Sequence, residues 1–466
     1  MLKTENIIHN SLQTQLKTVS VCIVNWNTKD YLKSCLLSLI GTEESVAFEV
    51  IVVDNCSADG SADMVRECFP QVKLIVNSSN EGYAKANNQA IEQAGGEYIL
   101  FLNPDTEIPS GIFERLIDKI ESDPAIGVLS CQLRNFDGSV QNFCSGLPTI
   151  YDEIFLQTGF DRLYPYHPWA GHRNMSYFDC ASENVVEQPP GTFLFTRRQV
   201  IDRIGGFDVL FPVFYNDVDW CKRVIEAGWN IVFTPAVYIY HHKSASLRDD
   251  LARHLKDAYY MRQRYYRKHF GKLTTAVLRF FAPFRSTGLK KDQADIKYVP
   301  KRVLLIKSSF ENHFMHALDD VKQMFPDAAI DILTTKHGDQ SSLRKKCARV
   351  LLYSGIRRDI YYFQTRKLVR RMLNAQKYDT ILFTHATVDG AGYWNVIFFC
   401  SLLCPQRIGA FGVDGRWRFF RPWSAIQLRG LISYATAYLL LGIEFCSRLI
   451  KKLRRTNGSR RVGLHR

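Results

Sequence analysis

Four short apolar runs alternate with helical patterns in the first hundred residues of this chain. The runs cover residues 19–24, 48–53, 72–76 and 98–102. Apolar runs of strand length that alternate with helices specify a parallel, doubly wound sheet with helices on both faces. We therefore predict an α/β fold for the N-terminal part of the chain.

Polar residues stand where three of these strands would end. Asn25 follows the first run, Asp54 follows the second, and Asn103 and Asp105 flank a proline after the fourth. The carboxyl ends of parallel strands meet at one edge of a sheet, where open α/β sheets bind ligands, so we expect these side chains to converge. Their oxygens suit a divalent cation that carries phosphates. Read alone, Asn-Pro-Asp after a strand is more often only a turn.

Two common nucleotide-binding motifs are absent from the sequence. No GxGxxG follows the first strand and no GxxxxGK[ST] occurs anywhere, which argues against a dinucleotide oxidoreductase and a P-loop NTPase.

The 12 cysteines contain no CxxC pair, so neither a disulfide framework nor a zinc site is indicated. The polar residues 1–17 lack the apolar segment of a signal peptide, which favours a cytoplasmic protein. The net charge of +14 suits an anionic partner.

Further motifs extend in order as far as residue 242. They are VVDN at 52–55, NEGYAKANNQ at 80–89, LNPDT at 102–106, DGSVQ at 137–141, PPGTFLF at 189–195, IGGFD at 204–208, YNDVDWC at 215–221, AGW at 227–229 and the pair His241-His242. This series resembles that of family 2 glycosyltransferases of the rhamnosyltransferase-like variety. The resemblance covers about residues 18–270.

The resemblance implies a GT-A fold for nucleotide-diphospho-sugar transfer, with inversion at the anomeric carbon. Asp105 matches the DxD-equivalent motif, which holds Mg²⁺ or Mn²⁺ and the donor diphosphate, and His241, in preference to His242, fits a second metal ligand. The catalytic base falls on Asp217. The family's usual Glu-Asp pair is replaced here by Asn216-Asp217. Loss of the first carboxylate should lower the pKa of Asp217, because a like charge nearby would have raised it.

The same motifs supply the other predicted contacts. Donor-binding residues are expected at Asn25, Asp54, Asn80, Lys85, Asn88, Asn103 and Asp105, and acceptor-binding residues at Gly191, Thr192, Asp208 and Asp219. Asp54 could hydrogen-bond the base or ribose, and the alternative for Asp54-Asn55 is a helix-capping turn. The alternative for Asp217 and Asp219 is a solvated first turn of a helix, where acidic residues are favoured.

The second half of the chain has a different character. We predict a GT-A domain over residues 18–250, a basic and aromatic helical segment with a linker over 251–300, a Rossmann-like domain over 301–425, and an amphipathic helix with a basic tail over 426–466. The run 301–333 resembles the opening half of heptosyltransferase-type GT-B enzymes. The remaining length is too short for a second, donor-binding half, so recognition of the acceptor is the role expected of this domain.

These features together predict an inverting, metal-dependent glycosyltransferase. We expect it to move rhamnose or a hexose from dTDP-rhamnose or a UDP-sugar to a cell-surface glycan or its lipid-linked precursor. The alternative is a non-catalytic glycan- or lipid-binding scaffold that retains the fold, a reading that Asn216 favours. The basic and aromatic residues 255–270 suit the headgroup layer of a membrane better than nucleic acid. We therefore expect a cytoplasmic enzyme at the inner face of the cytoplasmic membrane, with no nucleic acid partner.

Overall fold

The computed structural model describes residues 18–41, 46–242, 251–281, 300–307, 311–335, 341–353, 378–385 and, with gaps, 387–440. Contacts divide the chain into two compact units. Unit 1 contains Met1–Leu147 and Asn174–Asp249, and unit 2 contains Pro148–Arg173 and Asp250–Arg466. Part of the segment and linker expected over 251–300, and much of the helix and basic tail expected over 426–466, lie outside the described residues.

Unit 1 is built on a ten-stranded sheet with helices on both faces. Its strands are β1 (Thr18–Asn25), β2 (Ala47–Asp54), β3 (Lys73–Val76), β4 (Tyr98–Leu102), β5 (Thr106–Glu107), β6 (Ile126–Arg134), β7 (Val140–Gln141), β8 (Asn184–Val185), β9 (Phe193–Arg197) and β10 (Asn230–His241). Its helices are α1 (Lys29–Ile40), α2 (Ser61–Cys68), α3 (Tyr83–Gln93), α4 (Ile112–Glu121), α7 (Arg198–Ile204) and α8 (Asn216–Glu226).

The strand order is β3-β2-β1-β4-β9-β6-β10-β5, with β7 beside β6 and β8 beside β10. The α/β prediction is confirmed, and the four strands expected from the alternating pattern are parallel, although the complete sheet is mixed. β1 to β4 are parallel, whereas β9 is antiparallel to both β4 and β6. Helical crossovers join the first four strands and hold them parallel. β9 is reached by a long excursion after β7, so no such crossover sets its direction.

Alternating strand residues face two separate hydrophobic clusters. Val21 and Ile23 of β1 belong to the cluster that includes α1 and α4, while Cys22 and Val24 belong to the cluster that includes α3 and α8. Every residue of β4 is buried. Near-continuous apolar strands are typical of sheets covered on both faces, which is why these runs could be recognised in the sequence.

Unit 2 contains a smaller, six-stranded sheet. Its strands are β11 (Arg302–Ile306), β12 (Ala329–Thr335), β13 (Arg349–Tyr353), β14 (Thr380–Thr384), β15 (Arg407–Phe411) and β16 (Trp417–Phe420), in the order β13-β12-β11-β14-β15-β16. All neighbours are parallel except β15 and β16. The helices beside it are α10 (Glu311–Met324) and α11 (Ser341–Lys346). Unit 2 therefore contains an α/β sheet of its own between residues 302 and 420.

A helical part of unit 2 combines two distant stretches of sequence. The segment 148–173 carries α5 (Ile150–Thr158) and α6 (Phe160–Leu163), and its contacts are with α9 (Leu251–Phe281). The Tyr266 hydroxyl donates to the carbonyl of Thr149 (2.8 Å), and Arg262 Nε lies 3.4 Å from the buried Glu153 carboxylate. This division differs from a boundary at residue 250, because segment 148–173 shares its apolar cluster with α9.

Helix α9 changes direction within its length. Gly271 has φ 83° and ψ 170°, a backbone conformation that side chains with a Cβ rarely adopt, so the helix is kinked there. Residues 430–433 and 435–440 are also helical. Over the part of the chain that the structure describes, no helix combines the length and apolar character needed to cross a membrane.

Candidate active site

The carboxyl ends of β1 and β4 lie side by side, where the strand order changes direction. β1 pairs with β2 on one side and with β4 on the other, and Ile23 is level with Leu102. Asn25 therefore ends near Asn103 and Asp105. The backbone N–H of Asn103 also donates to the carbonyl of Thr192 (3.0 Å), which brings the start of β9 to the same edge. In open α/β sheets such a switch point is where ligands bind.

Asn25 and Asp54 meet at this edge, as their strand ends indicated. Asn25 Nδ2 donates to Asp54 Oδ1 (2.8 Å), and Asp54 Oδ2 accepts from the backbone N–H of Ser57 (2.9 Å). The Thr28 hydroxyl donates to Asn25 Oδ1 (2.6 Å). Asn25 and Asp54 are both buried. These bonds join the loop after β1 to the loop after β2, and they leave Trp26 exposed on that rim.

The motif at 80–89 places its polar side chains in different settings. Asn80 Oδ1 accepts from the backbone two residues further on (3.0 Å), and Lys85 pairs with Glu81 on the surface (2.6 Å). Asn88 uses both ends of its amide on the backbone of Phe207, each at 2.8 Å. Asn88 therefore joins α3 to the loop that follows α7, while Lys85 is exposed to solvent.

Asp105 and His241 form a buried pair. Asp105 Oδ2 lies 3.5 Å from His241 Nε2, because β5 pairs with the end of β10 and sets Thr106 opposite His241. The other carboxylate oxygen, Asp105 Oδ1, is buried without a hydrogen-bond partner. His242 points elsewhere, with Nε2 3.3 Å from Glu107. Of the two histidines, the one at position 241 faces Asp105.

Gln141 fixes the orientation of the His241 ring. The Gln141 amide nitrogen donates to the carbonyl of His241 (2.9 Å) and to Asn135 Oδ1 (2.6 Å). Its oxygen lies 2.8 Å from His241 Nδ1, so we assign the proton to Nδ1 and a lone pair to Nε2. That lone pair is directed at Asp105.

The Asp105–His241 pair has the chemistry of an incomplete cation site. It offers an imidazole lone pair and a buried carboxylate oxygen that has no protein partner. Among the described residues, no group of three or more His, Cys, Asp or Glu is placed to hold a metal ion. A cation at this pair would need further oxygen ligands, which diphosphate and water provide in Mg²⁺ sites. The residues present fit a cation that arrives with its substrate.

Asp217 lies in the first turn of α8, beside the loop that leads into β9. Its carboxylate is half-buried, and Gln188 Nε2 donates to Asp217 Oδ2 (3.2 Å). Gly191 packs against it so closely that a Cβ at 191 would lie 2.9 Å from Asp217 Oδ2. The Tyr83 hydroxyl donates to the carbonyl of Gly191 (3.3 Å). Burial and then the charge of Asp217 raise the pKa of Tyr83, which keeps the phenol protonated.

The neighbours of Asp217 face away from it or are engaged by the protein. Asn216 is buried and donates to the carbonyl of Val213 (2.7 Å). Asp208 is half-buried and accepts from the backbone of Leu210 (2.9 Å). Thr192 is buried and contributes its backbone carbonyl to the edge.

Asp219 is fully buried and pairs with Arg223 at 2.9 Å. The Arg223 guanidinium also donates to the carbonyls of Ile204 and Gly206, both at 2.7 Å. Asp219 is thus part of a network that ties α8 to the end of α7. The structure does not bring it to the surface where Asp217 lies.

Asp219→Ala should lower the free energy of unfolding by about 3 kcal/mol, because it strands the Arg223 charge in a largely buried network. Arg223 keeps 21% of its side-chain exposure, which limits the loss. Chemical denaturation measures this change in the free energy of unfolding. Asp63→Ala breaks an exposed pair with Arg66 and is the matched control, for which we expect a negligible change. Equal stability of the two variants would contradict a structural role for Asp219.

Gly191→Ala should slow sugar transfer by about tenfold to a hundredfold, because the added methyl group must displace the Asp217 carboxylate. Donor affinity should stay at the wild-type value. Gly95→Ala is the control: its Cβ would meet Glu49 at an ordinary 3.5 Å. Initial rates and donor titrations on both variants separate the two effects. A wild-type rate for Gly191→Ala would show that Asp217 tolerates displacement.

Three functional candidates were not assigned from the sequence. Tyr83 and Gln141 stand inside recognised motifs, and Gln188 directly precedes one. Their roles depend on contacts across 29 to 108 positions of sequence, which a local pattern does not indicate. The position of Gln141 at the end of DGSVQ was the one available signal.

Comparison with known proteins agrees with this geometry. Residues 20–180 match the model of the family described as Glycosyl transferase family 2. N-acetylglucosaminyl-diphospho-decaprenol L-rhamnosyltransferase of Mycobacterium tuberculosis is 29% identical over 247 residues, which are 50% of this chain and 79% of the relative. O-antigen biosynthesis protein RfbC of Myxococcus xanthus is 29% identical over 249 residues, 50% of this chain and 18% of the relative.

Among solved structures, S. aureus TarS 1-349 in complex with UDP is 18% identical and aligns with a TM-score of 0.36. The alignment covers 56% of this chain and 65% of TarS 1-349. The matched region runs from β1 to beyond α6 and includes Asp54 and Asp105, while Asp217 and His241 lie beyond its last residue. The chain therefore carries a glycosyltransferase family 2 domain, and its enzyme class is that of the glycosyltransferases.

Proposed function

We propose that this chain is an inverting, metal-dependent glycosyltransferase that uses a nucleotide-diphospho-sugar. The observation that carries the proposal is the meeting, around one sheet edge, of the buried Asp105–His241 pair and the half-buried Asp217 carboxylate. The names of the relatives concern L-rhamnosyl transfer to a diphospho-decaprenol-linked N-acetylglucosamine and O-antigen biosynthesis. They support rhamnose or a hexose, carried by dTDP or UDP, as the donor sugar and a lipid-linked precursor or surface glycan as the acceptor.

Asp105 and His241 are the residues that would hold Mg²⁺ or Mn²⁺. Asp105 Oδ1 lacks a protein partner, and His241 Nε2 carries the lone pair that Gln141 directs inward. A bound divalent cation supplies positive charge that stabilises a departing nucleoside diphosphate. Asp54 and Asp105 would otherwise repel that anion at the same edge.

Asp217 is the proposed general base. It accepts the proton of the acceptor hydroxyl as that oxygen attacks the anomeric carbon on the face opposite the diphosphate, which inverts the configuration. Gln188 and the close-packed Gly191 hold the carboxylate in position. Tyr83 anchors the Gly191 loop in turn. Asp217 binds the proton, and the nucleoside diphosphate leaves with the bonding electron pair.

The non-catalytic alternative rests on Asn216, which replaces the family's usual glutamate. In the structure Asn216 is buried and donates to the carbonyl of Val213. That bond joins the amide to the loop before α8, so we propose that the residue stabilises the start of α8. Asn216 is therefore compatible with an active enzyme as well as with a scaffold, and the proposed base Asp217 is present.

The other predicted contacts divide into two groups, according to whether their side-chain atoms already hold separate segments of unit 1 together. We propose that the engaged side chains act as positioning residues: Asn25, Asp54, Asn88 and Asp219. The remaining residues keep their proposed contacts with the donor (Asn80, Lys85, Asn103) or with the acceptor (Gly191, Thr192, Asp208), and the side-chain bonds described above for Asn80, Lys85 and Asp208 reach at most four positions along the chain.

Gln141→Leu should weaken Mn²⁺ affinity in the presence of nucleoside diphosphate by about tenfold to a hundredfold, because the His241 ring loses the partner of its Nδ1 proton. Gln141→Glu keeps an oxygen acceptor for Nδ1 but loses the two bonds that the amide nitrogen donates, so it should lose less affinity than Gln141→Leu. Titration calorimetry measures both variants. Equal loss in the two would indicate that Gln141 acts only on folding.

A panel of nucleotide sugars tests the proposed function. Purified full-length protein is titrated with dTDP-rhamnose, UDP-hexoses and GDP-mannose, with Mg²⁺, with Mn²⁺ and with a chelator. We expect one donor to bind in a metal-dependent way and to be hydrolysed slowly without acceptor. Binding of glycans or lipids without binding of any nucleotide sugar would instead support the scaffold.

We further propose that the enzyme works in the cytoplasm at the inner face of the cytoplasmic membrane. A lipid-linked acceptor is anchored at a membrane, and the net charge of +14 favours approach to an anionic surface.

A further inference from the structure

Exposed apolar side chains are distributed unevenly over unit 2. Among its described residues, all large apolar side chains that are exposed lie in the helical part, formed by segment 148–173, α9 and helical residues 430–433 and 435–440. None of the described residues around the six-stranded sheet is of this kind. Leu273 is 80% exposed, Tyr166 72% and Leu439 64%. A concentration of this kind marks an interaction surface, whereas single exposed apolar residues are ordinary.

Two of these side chains, Tyr164 and Tyr438, contact a buried apolar cluster, and others lie next to its members in sequence. The Phe160 ring lies 4.7 Å from the ring of Tyr438 and 5.7 Å from that of Tyr164. The same cluster contains Leu278, the neighbour of the exposed Val277. We define the apolar patch as six exposed residues of this helical part: Tyr164, Tyr166, Leu273, Val277, Tyr438 and Leu439.

The charge of helix α9, which carries two residues of the patch, is predominantly positive. Helix α9 contains eight Lys or Arg residues and a single acidic residue, Asp257. Six of its basic residues are exposed: Arg253, Arg264, Arg267, Lys268, Lys272 and Arg279. Lys272 directly precedes Leu273 of the patch. Tyrosines and aliphatic side chains flanked by Lys and Arg suit the boundary between lipid headgroups and acyl chains.

We propose that the helical part of unit 2 docks onto an anionic lipid surface. The apolar patch enters the headgroup layer, and the exposed basic residues of α9 contact lipid phosphates. An anionic lipid surface is the occupant that this face fits best, because its phosphates complement the exposed basic residues of α9 and its acyl boundary accepts the tyrosine and aliphatic side chains. This inference rests on the proposed function, because docking serves an enzyme whose acceptor is linked to a lipid. The helical part of unit 2 is the surface that would contact the membrane.

Vesicle flotation with full-length protein tests the docking surface. Phosphatidylcholine vesicles are compared with vesicles that also contain phosphatidylglycerol, at low and at physiological salt. The double variants Leu273→Ser with Val277→Ser, and Tyr166→Ser with Leu439→Ser, should each bind anionic vesicles about tenfold more weakly. Val209→Ser with Leu210→Ser removes exposed apolar residues of unit 1 and is the matched control, with unchanged binding expected.

A charge variant separates the two contributions. Arg267→Gln combined with Lys268→Gln and Lys272→Gln should lower the preference for phosphatidylglycerol by about tenfold, and raised salt should reproduce that loss in the unchanged protein. Circular dichroism confirms that each variant is folded. Binding of the patch variants equal to that of the control would overturn the proposal. The proposal would also be overturned if the wild-type protein bound neither kind of vesicle, or bound membranes only when another protein was added.

Donor affinity is measured on the same samples. Vesicle binding needs no sugar donor, so protein that docks but binds no nucleotide sugar would refute the proposed function alone. Protein that binds donor but fails to dock would refute the membrane surface alone. We expect the patch variants to bind donor as the wild type does.

Discussion

Asp217→Asn should slow sugar transfer by about two to four orders of magnitude, the usual contribution of a general base. The amide is nearly isosteric with the carboxylate and can still contact Gln188, so the local structure should persist. It cannot take a proton from the acceptor hydroxyl. Donor and metal affinity should therefore stay at wild-type values while the rate falls.

The matched control is Asp202→Asn, an exposed carboxylate on α7 that lies outside the proposed site. Its rate should equal that of the wild type. Single-turnover assays with saturating donor separate the chemical step from binding. A rate for Asp217→Asn close to the wild-type value would move the base elsewhere, with the half-buried Asp208 as the next candidate.

Asp105→Ala should reduce metal-dependent donor affinity by at least about a hundredfold, more than the loss expected for a residue that only supports a ligand. The variant removes the buried oxygen that has no protein partner and leaves His241 alone at the end of β10. Titration of donor with Mg²⁺ or Mn²⁺ measures the loss, and donor binding without metal should change little.

Neighbouring variants test the choice of ligands. His241→Ala should resemble Asp105→Ala, whereas His242→Ala and Glu107→Ala should retain donor affinity, since those two residues pair with each other at 3.3 Å. If His242→Ala lost donor affinity and His241→Ala retained it, His242 would be the metal ligand and the assignment of His241 would be wrong. Donor affinity that is unaltered in Asp105→Ala would exclude the pair as the metal site.

Much of unit 1 follows from its apolar runs. β1, β2 and β4 are fully or largely buried, so their composition indicates strands, and their polar ends mark the edge where Asn25 meets Asp54. The choice of His241 also follows the motif order, and the structure places that residue at Asp105. Local sequence was sufficient because these residues act at strand ends.

The direction of β9 and the division of the units were harder to predict. A strand of five residues carries no mark of its orientation, and β9 is reached by a long excursion rather than a crossover. Segment 148–173 belongs with α9 because of contacts such as Tyr266 to Thr149, which join positions 117 residues apart. Asp219 had the sequence context of a site residue, yet the ion pair with Arg223 buries it.

The stereochemistry and metal requirement of transfer test the central proposal most directly. Full-length protein is given the donor found in the nucleotide-sugar panel and an N-acetylglucosaminyl diphospho-lipid, and the product is analysed by NMR. We predict a transferred sugar whose anomeric configuration is opposite to that of the donor, formed with Mg²⁺ or Mn²⁺ and lost with a chelator. A product of retained configuration, or transfer that continues undiminished in the chelator, would contradict an inverting, metal-dependent mechanism based on Asp217, Asp105 and His241.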